Sequence, residues 1–163
     1  MKKPSFLVKD YMRASVVSVL SDTTIREAVT IMTKKKTNGL VVVDDAHRVV
    51  GMLSSWDIIQ FIVPDYLEED KHLASFESGD VFAERICALA ERPISDCMTA
   101  KKIHTIKKDK TLMEAITLLS EFHIRQLPVV DEDGVLVGYL NRTDVKLAIS
   151  DVLKTCSRSE RKT

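Results

Sequence analysis

The chain carries no excess of charge of either sign: 24 lysines and arginines stand against 24 aspartates and glutamates among 163 residues. That balance argues against bulk attraction to nucleic acid or to an anionic membrane, and leaves only a local patch as an electrostatic route to either. Long apolar runs are missing too. Nothing approaches the roughly 18 residues a membrane helix needs, and the opening MKKPSFLVKDYM has two lysines with no apolar stretch behind them, so no signal peptide is expected. Cysteine is scarce and odd in number; Cys87, Cys97 and Cys156 lack metal-ligand spacing, and reduced thiols in a cytoplasmic protein are the plain reading. The four histidines are scattered singly, which favours surface or packing roles over metal ligation. No G-x-S-x-G, phosphate-binding loop, H-E-x-x-H or paired-cysteine site is present, and no nucleophile has a neighbouring base, so no catalytic activity is expected.

What the chain does have is a phrase written twice. GMLSSWD at Gly51–Asp57 returns as GYLNRTD at Gly138–Asp144, 87 residues on. Laid without gaps at that offset, residues 22–59 and 109–146 share 13 identities in 38 positions, where unrelated sequences of average composition share about two or three. VKDYM (8–12) pairs with ISDCM (94–98), shifted by one residue. Each copy begins with a short β-type run, VVSV (16–19) or IHTI (103–106). Thr24 with Glu27, and Thr111 with Glu114, have the spacing of a capping box. The following apolar positions, Ile25, Ala28, Val29 and Met32 or Leu112, Ala115, Ile116 and Leu119, make one helix face per copy. LVVVD (40–44) and LPVVD (127–131) read as strands buried on both faces, DAHR and EDG as turns, with Gly134 the sharper signal, and VVGML and LVGYL as returning strands. A helix follows each repeated phrase. The order is β-α-β-β-α, and a unit of this size has too little core to stand alone.

The expected organisation is a first unit over 1–63, a helical insert over 64–93, a second unit over 94–155 and a polar, disordered tail over 156–163. Pro64 can open a helix. DVFAERICALAERP reads as another helix, with Asp80 as N-cap, Phe82, Ile86 and Leu89 on one face and Pro93 as terminator. The insert is either a spacer packed on its own protomer or an arm that binds a partner or a second copy.

This duplicated series, with LPVVD, the acidic turn and G-h-h-S/T-x-x-D in register twice, resembles a tandem pair of CBS domains, the Bateman module, over roughly residues 8–62 and 94–150. The resemblance implies an α/β (α+β) fold of two β-α-β-β-α units packed sheet to sheet about a pseudo-twofold axis. It implies a regulatory, energy-sensing module, not an enzyme, that binds AMP, ADP, ATP or S-adenosylmethionine in clefts between the units. No obligatory cofactor is implied; the adenine nucleotide is a regulatory ligand. The S/T-x-x-D pattern implies that Ser54 turns its hydroxyl toward a phosphate and Asp57 holds a ribose diol. Asp144 matches in the second copy, where Asn141 replaces the usual hydroxyl residue. The family's adenine-lining loop maps to Asn38, Gly39, Leu40 and Val41, with valine in place of the usual proline, and to Arg125, Gln126, Leu127 and Pro128. Its base-facing strand maps to Val17 and Ser18, or His104 and Thr105, and the aspartate of one copy is expected to face the strand and loop of the other.

Helix N-termini offer free N–H groups and a favourable dipole to anions, and charge-assisted bonds from a diol to a carboxylate are the stronger kind. S-x-x-D is equally a plain helix start, and Asn141 caps as well as serine. The two roles are compatible for Ser54. Arg125 and Arg142 are candidate phosphate partners, whereas Lys34, Lys35 and Lys36 complement a helix end. Trp56 is expected to pack. Modules of this kind associate through their helices, so a homodimer is expected, with a regulated partner protein possible and neither nucleic acid nor membrane. The rival reading is an interaction module with vestigial nucleotide sites, which the departures at Val41, Gln126 and Asn141 would fit.

Overall fold

The structure is a computed structural model that describes residues 6–159 and, of residues 155 and 157–159, the backbone alone. Its elements in chain order are α1 (Val8–Tyr11), β1 (Ser18–Leu20), α2 (Ile25–Lys35), β2 (Gly39–Val43), β3 (Val49–Ser54), α3 (Ser55–Ile62), α4 (Asp65–Glu69), a 3-10 stretch (Lys71–Phe76), α5 (Gly79–Leu89), a second 3-10 turn (Ile94–Asp96), β4 (Ile106–Lys107), α6 (Leu112–Glu121), β5 (Gln126–Val130), β6 (Leu136–Asn141) and α7 (Arg142–Ser159). The fold is mixed α+β with two three-stranded sheets, ordered β1-β2-β3 and β4-β5-β6. In each sheet the first pair is parallel, Ser18 opposite Val41 and Ile106 opposite Val129. The second sheet closes with an antiparallel pair that sets Gln126 opposite Asn141.

Local chemistry explains the elements. The Thr24 hydroxyl accepts from the Glu27 N–H at 3.2 Å and the Glu27 carboxylate accepts from the Thr24 N–H at 2.9 Å, the reciprocal capping that starts α2. Thr111 caps α6 through the Glu114 N–H. The strand run Leu40–Val43 is buried throughout, as a continuous apolar run requires. Of the four face positions on α2, Ile25, Ala28 and Met32 are buried, but Val29 is 41% exposed. It sits at the edge of the stripe, beside an open groove. Helix α3 stops at Ile62 because Pro64 disfavours helical backbone at Val63, which is extended (ψ 122°). No such proline follows α7, whose backbone stays helical to Ser159. The expected disordered tail is therefore helical over 156–159, and its last residues, 160–163, lie outside the described residues.

The two compact units are interleaved in sequence. One comprises Val17–Ala46 and Val50–Ile103; the other comprises the chain up to Val16, His47–Val49 and the chain from His104 on. We call them the repeat-one and repeat-two units. Beside the contiguous boundaries expected from the sequence, the compact units exchange leading segments. The Val8 N–H donates to Lys110 O and the Leu112 N–H to Phe6 O, each within the repeat-two unit. The Ile94 N–H donates to Thr23 O and the Ser95 N–H to Ser21 O, each within the repeat-one unit. Val8 and Ile94 are both fully buried, each in the core of the repeat that it does not lead. Burial of one such side chain is worth roughly 1.5–3 kcal/mol, enough to fix where an otherwise short, polar segment docks.

The insert belongs to the repeat-one unit. Its helix α5 is capped by Ser78, whose hydroxyl accepts from the Val81 N–H, rather than by Asp80, which stands in the first turn. Serine wins because its short hydroxyl meets the N3 amide. The side chain of Arg85 donates to Ile62 O, and Arg92 lies 5.1 Å from the centre of the Phe61 ring, so the second half of the insert packs on its own unit. Phe76 and Phe82 remain 83% and 63% exposed.

Candidate functional site

Each repeated phrase ends a strand and starts a helix. At Ser54–Asp57 the Ser54 hydroxyl accepts from the Asp57 N–H at 3.2 Å, and Asp57 Oδ2 accepts from the Ser54 N–H at 2.6 Å and from its hydroxyl at 2.5 Å. At Asn141–Asp144 the Asn141 Oδ1 accepts from the N–H groups of Thr143 and Asp144 at 2.8 and 3.0 Å, and Asp144 Oδ2 accepts from the Asn141 N–H at 2.9 Å. Both phrases are thus complete helix starts, and each aspartate keeps one oxygen, Oδ1, outside the cap.

That second oxygen is met by the exchanged segment. Arg13 Nε donates to Asp144 Oδ1 at 2.7 Å, and the Thr99 hydroxyl donates to Asp57 Oδ1 at 3.3 Å. The same segment explains the phrase glycines. A Cβ on Gly138 would stand 2.9 Å from Arg13 O and 3.0 Å from Met12 Sδ; one on Gly51 would stand 3.0 Å from Met98 Sδ and 3.3 Å from Thr99 O. The glycine lets the segment lie against the strand, and the aspartate receives its side chain. Arg13 and Thr99 were not singled out from the sequence, although their place directly after the paired VKDYM and ISDCM was the available signal.

The structure ties some of the other candidates to these helix starts and leaves others apart. In the repeat-one unit the Ser55 N–H donates to Asn38 O at 3.0 Å, which seats the Asn38–Gly39 turn beside the start of α3. Val17 O accepts from the Val41 N–H, so Val17 and Ser18 flank the same end of β2. Leu40 is fully buried within the core, and only its backbone is left to line a ligand. In the repeat-two unit Gln126 lies opposite Asn141, and Pro128 is fully buried in β5. Arg125 and Arg142 are exposed, and Arg142 makes a long 3.5 Å bond to His123 O. His104 precedes β4 and is stacked on Phe122, ring centres 3.6 Å apart, while Thr105 is exposed. Trp56 is 62% exposed, contrary to the packing expected of it; the core face of α3 belongs to Ile58, two positions on and so on the opposite side.

Two shifted groups surround the aspartates. Arg13 is held yet more firmly in its charged form by the hydrogen bond and charge of Asp144. Cys97, half-buried, is pushed up to about 11, first by burial and then by the charges of Asp57 and Asp96. A groove of about 790 Å³ among α2, α3 and α5 of the repeat-one unit is lined by Val29, Ile58, Ile59, Ile86 and Leu89 and reaches Asn38 and Ser55 at the start of α3. Its counterpart of about 320 Å³ in the repeat-two unit is lined by Ile116, Leu119, Ser120, His123, Arg142 and Val145. Among the described residues no cluster of His, Cys, Asp or Glu has the makings of a metal site, and no helix is long and apolar enough to cross a membrane.

The CBS domain family matches the chain twice, over residues 8–64 and 94–151. The chain is similar to CBSX2, a chloroplastic CBS domain-containing protein of Arabidopsis thaliana, with 27% identity over 166 residues, 97% of this chain and 69% of that one. The structure of CBSX2 in complex with AMP superposes with a TM-score of 0.69 at 28% identity, covering 90% of this chain and 98% of that one. The CBS domain pair of protein MJ0100, in complex with 5'-methylthioadenosine and S-adenosyl-L-methionine, superposes with a TM-score of 0.65 at 26% identity, covering 88% and 98%. Inosine-5'-monophosphate dehydrogenase of Aquifex aeolicus is 30% identical over 130 residues, which are 79% of this chain and 21% of that enzyme.

Proposed function

The chain belongs to the CBS domain family, and we propose that it is a regulatory module that binds an adenine nucleotide or a related adenosine derivative through the ribose. The observation that carries the reading is the Asp57 carboxylate. One oxygen is fixed by the helix start, and the other, met among the described residues by a hydroxyl at 3.3 Å, is placed to accept from a diol. Ser54 shares the helix start and Asn38 O accepts from the Ser55 N–H beside it, while Gly39, the backbone of Leu40, and Val17 and Ser18 of the neighbouring strand are the further candidates. In the second repeat Asp144 and Asn141 take the same parts, with Thr105, His104, Arg125, Pro128 and Arg142 as further candidates. AMP in CBSX2, and methylthioadenosine and S-adenosylmethionine in MJ0100, share an adenosine moiety and support that ligand class. A regulatory rather than catalytic role is supported by the small share, 21%, that the matching region takes of the dehydrogenase. The exposed side chains of Val29 and Ile59 along the α2–α3 groove support association of two copies through their helices. Three cysteines, odd in number and without metal-ligand spacing, support a reducing, cytoplasmic setting.

The mechanism is differential binding: a ligand favours one arrangement of the protein by no more than its affinity difference between arrangements. Titration calorimetry with AMP, ATP and S-adenosylmethionine tests the reading. Asp57→Ala is expected to weaken binding about ten- to a hundredfold, the worth of hydrogen bonds to a charged group, while Ser54→Ala, a cap loss, costs about 1 kcal/mol of stability. Unchanged affinity in Asp57→Ala, with the wild type binding, makes the aspartate a helix start only.

A further inference from the structure

Arg13 and Thr99 hold equivalent places. Each follows the methionine of its exchanged segment. Each trades two backbone hydrogen bonds with the residue after the phrase glycine: Arg13 with Tyr139 at 2.9 and 3.0 Å, Thr99 with Met52 at 2.9 Å both ways. Each points its side chain at Oδ1 of the phrase aspartate. The chemistry at that oxygen is not equivalent. Asp144 is 2% exposed, and its two oxygens are occupied by a charge-assisted bond from Arg13 at 2.7 Å and by the Asn141 N–H at 2.9 Å. Asp57 is more open, and among the described residues its Oδ1 accepts one long bond, from the uncharged donor Thr99 at 3.3 Å.

From this we infer that the two repeats are unequal ribose sites, that of Asp57 being the tighter, and that Arg13 is the residue that sets the difference. The inference rests on the reading of these aspartates as ribose-binding groups. A diol arriving at Asp57 displaces one hydroxyl from a long bond to the carboxylate and brings two hydroxyls to the same acceptor. A diol arriving at Asp144 must displace or share a guanidinium already bonded to a buried carboxylate, and the bond it makes is offset by the one it breaks. The Arg13 side chain has 48% of its surface open, so it can turn into water without unfolding anything. The Asp144 site is therefore latched rather than destroyed. Thr99 shows that the fold accommodates a neutral residue in this place.

Titration calorimetry of the full chain with adenosine tests the inference. The wild type is expected to show a tight and a weak step, and Asp57→Ala to lose the tight one. Arg13→Thr, which installs the residue of the other repeat, should tighten the weak step about ten- to a hundredfold, the range set by a hydrogen bond to a charged group. Thr99→Arg should weaken the tight step by a similar factor. The second variant keeps the test decisive if Arg13→Thr melts early, because it adds an arginine in the repeat-one unit and leaves the Arg13–Asp144 pair in place. Two equal steps in the wild type, or affinities unmoved by either exchange while Asp57→Ala still loses its step, overturn the inference and leave the ribose reading standing. Adenosine binding that survives both Asp57→Ala and Asp144→Ala, or is absent from the wild type, overturns both.

Discussion

Replacing Gly138 with alanine tests the packing of the exchanged segment without touching a charged group. The new Cβ would lie 2.9 Å from Arg13 O. That oxygen is part of the backbone and is pinned by the Tyr139 N–H at 3.0 Å, with the Arg13 N–H bonded in return to Tyr139 O at 2.9 Å, so it cannot step aside alone. Forcing an atom into a filled space costs roughly 1–3 kcal/mol. Against this stands the smaller conformational freedom of alanine in the unfolded chain, worth about 0.4–1 kcal/mol. The net loss runs from about 0 to 2.6 kcal/mol, centred on about 1.3, and at roughly 2–4 °C per kcal/mol for a chain of this length the melting temperature should fall by about 3–5 °C at that centre and by about 10 °C at most. Gly51→Ala is the internal comparison. Its nearest neighbour is the thioether of Met98 at 3.0 Å, a flexible side chain, and its backbone neighbour Thr99 O stands off at 3.3 Å. Its loss should be the smaller of the two, within about 1 kcal/mol of zero once the alanine gain is counted. Thermal unfolding followed by circular dichroism measures both. Equal melting temperatures for Gly138→Ala and the wild type, or a larger loss for Gly51→Ala, would refute the account of the glycines as clearance for the exchanged segments.

The exchange also predicts which fragments fold. A fragment of residues 1–63 lacks Ile94 and the backbone partners of Thr23 and Ser21, so it should show no cooperative melt, whereas residues 17–103 hold the whole repeat-one unit, together with residues 47–49 that belong to the other, and should melt more cooperatively; a cooperative monomeric transition from 1–63 would count against the interleaved core. Among the cysteines, Cys87 and Cys156 are exposed and Cys97 is held as the thiol up to about pH 11, so mass spectrometry of iodoacetamide-treated protein at pH 8 should find Cys97 modified last. Because its folded value lies above the ordinary 9.0, Cys97 favours the folded chain fully below about pH 9 and loses that contribution as the pH climbs toward 11, a decline that Cys97→Ala should lessen in pH-dependent melts.

Much of this was legible in the residues alone. The 87-residue offset, the two T-x-x-E helix starts, the all-apolar Leu40–Val43 run and the order of strands and helices depend on contacts a few residues apart or on period, and local chemistry decides both. The pairing of VKDYM with ISDCM was visible as well, but not where either segment would dock. Both copies of each surface are alike, so Val8 and Ile94 fit either core by type; which core each enters depends on where the chain leads it in three dimensions. The same ignorance hid Arg13 and Thr99, whose partners lie 131 and 42 residues away in sequence. Trp56, Val29 and the cap at Ser78 went astray for a smaller reason: a helical period locates a face to within a residue or two, and the last step is settled by which neighbour fills the space. The sequence by itself thus determined that one β-α-β-β-α unit is built twice and that each ends in a helix start carrying an aspartate. Only the tertiary structure decided that each unit borrows its opening segment from the other repeat. Through that loan the two identical aspartates meet different residues, a guanidinium at Asp144 and a hydroxyl at Asp57, because long-range docking rather than local pattern chooses what reaches a buried oxygen.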